Sequence, residues 1–109
     1  MNTFTKTLIA ATLIGATAPA IAQDDDYCRR FARLAGSVMD ARQSGADISE
    51  MLDHASEYAE TNPRIVELNR VLVLTAFETP RFRTEKNQKR AISEFRNAMH
   101  LNCLKDNLE

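Results

Sequence analysis

Two cysteines, Cys28 and Cys103, bracket almost everything that follows an apolar N-terminal segment. An even cysteine count in an exported chain reads as a disulfide, because the compartments outside the cytoplasm are oxidising. A bond between them would close most of the chain into one loop. Loop-closure entropy assigns such a bond about 4.5 kcal/mol, comparable to the whole stability of a small domain. It also imposes geometry, since the two Cα atoms must come within about 7 Å. The beginning and the end of the folded chain are therefore expected to meet. A second reading uses the same sulfurs as metal ligands. His100 and Cys103 share a helix face at a spacing of three, and with Cys28 and His54 they compose a Cys2His2 set. The four residues are scattered and no Cys-x-x-Cys occurs, so the disulfide is the reading adopted and no metal or cofactor is expected. Lone, distant cysteines also lack the paired spacing that tunes redox-active thiols.

The compartment argument comes from residues 1–22. Lys6 supplies a positive start, Leu8 to Ala16 form a short apolar stretch, and Pro19 precedes the small-x-small run Ala20-Ile21-Ala22. These are the three parts of a secretory signal peptide. The apolar stretch is shorter than the roughly 20 residues needed to cross a bilayer. The competing reading is a retained membrane anchor. A lipid anchor would need a cysteine directly after the cleavage site, and Cys28 stands behind Asp24, Asp25 and Asp26. The expected organisation is a signal peptide over 1–22 and a single helical domain over 23–109. The compact leader suggests a Gram-negative exporter and a periplasmic or secreted product. No membrane span is expected after cleavage.

Charged residues make up 27% of the chain and hydrophobic ones 44%, a balance that supports a folded core rather than disorder. The net charge is −1 and becomes more negative once Lys6 leaves, which argues against a nucleic-acid binder. Hydrophobic periodicity predicts four helices and no convincing strand pair. The first runs from about Asp25 to Ser44, with Cys28, Phe31, Ala35, Val38, Met39 and Arg42 at helical spacing and Gly45 as its stop. The second opens on Asp47-Ile48-Ser49-Glu50, a capping-box pattern, and carries Ile48, Met51, Leu52, Ala55 and Ala59 as a stripe flanked by Tyr58. It should end by Thr61-Asn62, ahead of Pro63. The third starts at Pro63 with Asn62 or Thr61 as cap. Its apolar residues occupy two faces, Ile65-Leu68-Leu72-Ala76 and Val66-Val73-Phe77, so it is expected in the middle of the bundle. The run Val71 to Leu74 could also be a buried strand, but no other segment alternates to pair with it. The fourth follows Thr84, contains the favourable pair Glu85→Lys89, and places Ile92, Phe95, Met99 and Cys103 on one face. Cys28 near the start of the first helix and Cys103 near the end of the last lie at one end of an up-down-up-down arrangement. The expected fold is an all-α four-helix bundle closed by one disulfide between first and last helix.

Motifs for chemistry are sparse. There is no phosphate-binding glycine loop, no HExxH and no nucleophile elbow. His54 lies near Ser49, Ser56, Glu50, Asp53 and Glu57, so a Ser/His/carboxylate site can be drawn, but it would occupy a solvated helix face. The acidic residues Glu50, Asp53, Glu57 and Glu60 read as a solvated face as well. No catalytic residue is assigned. The mature-chain methionines Met39, Met51 and Met99 sit at core spacing and read as packing. The strongest asymmetry is the basic stretch Arg81, Arg83, Lys86, Lys89 and Arg90, opposed only by Glu85. Arg83, Lys86 and Arg90 are expected on one helix face with Phe82 beside them, as an anion- or partner-binding patch or as a solvated first turn. Arg29, Arg30 and Arg33 form a smaller cluster, compensated through Asp26→Arg30.

Three stretches carry a resemblance: Met39-Asp40-Ala41-Arg42-Gln43-Ser44-Gly45, Thr75-Ala76-Phe77-Glu78-Thr79-Pro80-Arg81-Phe82, and Ala91-Ile92 with Phe95-Arg96 ahead of Cys103. Together with Cys28 at the head of an aromatic-containing helix, they resemble small exported helical proteins of unknown function from Gram-negative bacteria and their phages. The resemblance implies a helical fold over most of the mature chain and assigns no functional residue. In format the chain is also similar to the small periplasmic acid-stress chaperones, but here the cysteines staple the chain ends, which departs from that family. Three function classes follow. The preferred one is an interaction module without catalysis, an inhibitor or accessory protein whose partner is another protein or an anionic envelope component. The others are an acid-stress chaperone that opens its third helix, and a small hydrolase using His54. The apolar run Val71 to Leu74 makes a homodimer through the third helix a candidate assembly.

Overall fold

A computed structural model describes residues 25–57 and 62–108. The leader, Asp24, and the positions Tyr58, Ala59, Glu60 and Thr61 lie outside the described residues. Among those described the fold is four helices without a strand. They are α1 (25–43), α2 (Ile48–Ser56), α3 (Pro63–Phe77) and α4 (Glu85–Leu108). Val71 to Leu74 is helical, within α3.

Local chemistry sets the boundaries. Gly45 takes φ +97°, a conformation that L side chains resist. Gly45 N–H donates to Arg42 O at 3.2 Å, and Ala46 N–H donates to Ala41 O at 2.9 Å. This pair of bonds is the Schellman closure, which satisfies carbonyls that would otherwise be orphaned at the end of α1. Asp47 caps α2 by accepting from the Ser49 amide at 2.7 Å. The return bond from Glu50 that a capping box requires is not among the hydrogen bonds of the described residues, so Asp47 carries the cap. Asn62, rather than Thr61, caps α3 by accepting from the Arg64 amide at 3.1 Å, and Pro63 fills the first helical position. The Thr84 hydroxyl accepts from the Asn87 amide at 3.2 Å and starts α4.

The core joins three helices. Ala35, Val38 and Met39 of α1 meet Leu72, Val73 and Ala76 of α3 and Ala91 and Phe95 of α4. Met51 and Leu52 of α2 pack against this cluster from its edge. α1 contributes more buried residues than α3, although α3 is the helix expected to be most enclosed from its number of apolar residues. In α3, Leu72, Val73 and Ala76 are buried, but Ile65, Val71 and Leu74 are 44%, 49% and 39% exposed. In α1, Cys28, Ala32, Ala35, Gly36, Val38, Met39 and Gln43 are all buried. The physical reason is side-chain size. Ala32, Ala35 and Gly36 let neighbouring helices approach the α1 backbone, which the bulky and branched residues of α3 cannot permit on every side. A Cβ added at Gly36 would stand 3.3 Å from Arg96 Cδ, which marks the close passage of α4.

The bundle is closed where expected. Cys28 and Cys103 form a disulfide with Cα atoms 5.6 Å apart. Cys28 is wholly buried and Cys103 is 9% exposed. Cys28 meets Cys103 and Gly36 lies against Arg96, so α1 and α4 run antiparallel. The double substitution Cys28→Ser with Cys103→Ser is expected to lower unfolding stability by about 4 kcal/mol, through freedom returned to the unfolded chain. Urea unfolding followed by circular dichroism measures this, and an unchanged midpoint would remove the disulfide's role.

Candidate functional site

The end of the bundle opposite the disulfide is organised by one buried polar side chain. Gln43 is 2% exposed and stands four residues after Met39, on the core face of α1. Its carboxamide nitrogen donates to Pro80 O at 3.0 Å and reaches Met39 Sδ at 3.6 Å. Its carboxamide oxygen accepts from the Phe82 amide at 2.8 Å. Around this hub the flanking residues repeat the pattern. Arg42 Nε donates to Thr79 O at 3.1 Å, and its guanidinium lies 4.7 Å from the centroid of the Phe77 ring. Arg81 Nε donates back to Gln43 O at 3.0 Å. Gln88 Nε2 donates to Phe82 O at 2.7 Å, tying the first turns of α4 to the same connector. The Arg42-Gln43 and Thr79-Pro80-Arg81-Phe82 stretches, separate in sequence, therefore form one joint. Sequence reasoning passed over Gln43. The signal was a glutamine at core spacing just ahead of a helix-stopping glycine.

This joint divides the basic stretch. Arg81 is held by Gln43 O, and a Cβ placed on Gly45 would be 3.2 Å from its guanidinium carbon. Arg83 precedes α4 rather than sharing a helix face with Lys86 and Arg90, because Thr84 is the cap and the helix begins at Glu85. Lys89 pairs with Glu85 at 3.1 Å, with both side chains largely exposed. Arg90 lines a separate groove of about 500 Å³ that also contains Phe82, Asn87 and Glu94. The expected continuous patch is thus resolved into an anchored Arg81, exposed Arg83 and Lys86, a paired Lys89, and Arg90 on another groove. The Asp26–Arg30 pair forms as expected.

Of the residues considered for catalysis, only His54 and Glu57 meet in a side-chain contact among the described residues. His54 Nδ1 lies 3.1 Å from Glu57 Oε1, and both side chains are mostly exposed. Ser56 Oγ donates to Asp53 O at 2.8 Å, and Ser49 lies in the capped first turn of α2. The Cys2His2 reading fails because both sulfurs are spent on each other. Among the described residues no group of histidine, cysteine and carboxylate side chains could hold a metal ion.

The most extended surface feature is apolar. Three grooves follow one another along the α1–α3 cleft. The first, about 280 Å³, runs between α1, α2 and α3 and includes Leu34, Met51, His54 and Asn69. The next, about 170 Å³, shares Leu34 and Asn69 with it and adds Phe31, Ile65 and Leu68. The third, about 430 Å³, shares Tyr27, Phe31 and Leu68 with the second and reaches Val71, Met99 and Cys103. Arg64 and Asp106 stand at the margins of this last groove. Tyr27 is 44% exposed and Leu34 is 41% exposed, so the track is open to solvent. It exists because apolar side chains of both α1 and α3 are left partly uncovered along their cleft. No helix among the described residues is long and apolar enough to cross a membrane. No protein-family model, curated protein or solved structure matches the chain.

The joint carries a direct consequence. Gln43→Leu keeps the side-chain volume but strands the Phe82 amide and the Pro80 carbonyl, so stability should fall by about 2–3 kcal/mol. Thermal unfolding of the variant measures the loss. A shift no larger than that of an exposed α2 substitution such as Glu50→Gln would show that the joint contributes little.

Proposed function

We propose that this chain is an exported, non-catalytic interaction module, and that its apolar α1–α3 track receives an amphipathic helix of a protein partner. The observation that carries the reading is the linked run of grooves, open to solvent and lined by large apolar side chains. Isolated exposed hydrophobics are ordinary, whereas a contiguous apolar track with charged margins is the surface that partner helices use. From Tyr27 to Ser37 the track follows about three turns of α1, roughly 15 Å, which suits a short helix. Arg64 and Asp106 offer opposite charges to the rim of such a partner. A rigid frame also favours binding, since little order has to be created on association.

Export is part of the same proposal. Residues 1–22 act as the signal peptide, residues 23–109 form the working domain, and the disulfide fits an oxidising periplasmic or extracellular setting. The membership proposed is that of the small exported helical proteins that the sequence resembles. The buried polar side chain of the core is the neutral Gln43, and every described aspartate and glutamate is exposed. This supports a frame that stays closed on acidification over a chaperone that opens.

The test pairs capture with a charge placed in the track. Protein retained from periplasmic extract by the wild type should be lost with Leu34→Glu and kept with Lys89→Gln. Sedimentation of the purified protein reports whether the occupant is a second copy, in which case a dimer would dissociate with Leu34→Glu. Identical retention by wild type and Leu34→Glu, with a monomer in both, would overturn the reading.

A further inference from the structure

We propose that the connector between α3 and α4 holds a binding site for a phosphate group, formed by Arg81 and Arg83 beside Gln88, with Lys86 in the first turn of α4 adding positive charge. The site is distinct from the apolar track and does not depend on the partner reading. A pocket of about 380 Å³ opens at this corner, lined by Arg81, Phe82, Arg83 and Gln88. Its two arginines differ in a way that suits anion capture. Arg81 is fixed in advance, since its Nε donates to Gln43 O at 3.0 Å and its guanidinium packs against the bare backbone of Gly45. That bond uses one of five donors and leaves the terminal nitrogens of the fork for a ligand. Arg83, two residues later, is exposed, and no carboxylate pairs with it among the described residues. Gln88 is anchored through its donation to Phe82 O at 2.7 Å, which holds this wall of the pocket in place.

Charge around the pocket is unbalanced in the required sense. Glu85 is the sole acid between Arg81 and Arg90, and its carboxylate is drawn to Lys89 at 3.1 Å. Lys86 in the first turn of α4 is exposed and has no ion pair among the described residues. The positive end of the α4 dipole adds to this field. The contrast with the other arginine cluster is informative, because Arg30 is answered there by Asp26. Two arginines lining one pocket match a tetrahedral, multiply charged oxyanion better than a single carboxylate, since each guanidinium fork can engage two oxygens. The ligand chemistry is therefore a phosphate group, either free as a small soluble phosphate or carried by a phospholipid headgroup.

The experiment is calorimetric titration of the disulfide-closed protein with inorganic phosphate at low ionic strength, alongside co-sedimentation with phosphatidylglycerol vesicles and neutral phosphatidylcholine vesicles. Phosphate should bind, and Arg83→Gln should weaken binding by about tenfold or more, the loss of one charge-assisted contact. Lys86→Gln should weaken it less, and Lys89→Gln should leave it within about twofold, because Lys89 is already paired. None of the three substitutions touches the Gln43 joint, so unfolding midpoints should stay at the wild-type value. Co-sedimentation with phosphatidylglycerol that is lost with Arg83→Gln assigns the headgroup as the source, and phosphate binding without it assigns a soluble phosphate. Neither phosphate binding nor co-sedimentation, or equal losses from Arg83→Gln and Lys89→Gln, overturns the site. Equal losses would mean a diffuse basic surface rather than a built pocket.

Discussion

The carboxamide of Gln43 joins the end of α1 to a connector that has no regular structure of its own. Its nitrogen and its oxygen are both used, one on Pro80 O and the other on the Phe82 amide. A buried amide is costly unless its partners are in place, so the joint either forms completely or destabilises the fold. Once formed, it fixes where the chain leaves α3, where α4 begins and where the Arg81 side chain lies. The disulfide does the corresponding work at the opposite end, joining Cys28 to Cys103. The antiparallel pair α1 and α4 is thus fastened at both ends, covalently at one and by hydrogen bonds at the other.

The deeper burial of α1 bears on the surface that the bundle presents. The small residues Ala32, Ala35 and Gly36 admit neighbours closely, so α1 buries more of its residues than the bulkier α3. Tyr27 and Leu34 of α1 and Ile65, Val71 and Leu74 of α3 stay exposed. The line of grooves from Met51 to Cys103 follows the cleft where several of these side chains lie uncovered among the described residues. Packing that satisfies the core leaves an apolar surface outside it, and that surface is what the proposed partner would use.

Features governed by neighbours in sequence were legible before any coordinates. The Gly45 stop, the Asp47, Asn62 and Thr84 caps, the Glu85–Lys89 pair and the core face Ile92-Phe95-Met99-Cys103 all follow from local chemistry and helical spacing. The disulfide was legible because a leader-like N-terminus, an even cysteine count and helix polarity pointed the same way. The helix with the most buried residues was not, because a count of apolar residues favours α3, whereas burial also depends on how closely backbones can approach. The basic stretch was read as one patch because charge was counted along the chain. Its division depends on a contact between Arg81 and Gln43 that joins two distant segments, and no local pattern announces it. Gln43 itself was hidden by its type, since a glutamine at core spacing looks like a polar residue at the edge of a stripe.

The account stands on the joint between α1 and the α3–α4 connector. Amide hydrogen exchange at Phe82 tests it at a single atom, the N–H that donates to Gln43 Oε1 at 2.8 Å. Phe82 lies in a connector, where an unbonded amide would exchange at nearly the rate of an unfolded chain. The joint predicts exchange at Phe82 slowed by about a hundredfold or more, with the slowing lost in Gln43→Leu. Exchange at Phe82 as fast as in an unstructured peptide would contradict the joint and the fixed position it gives to Arg81.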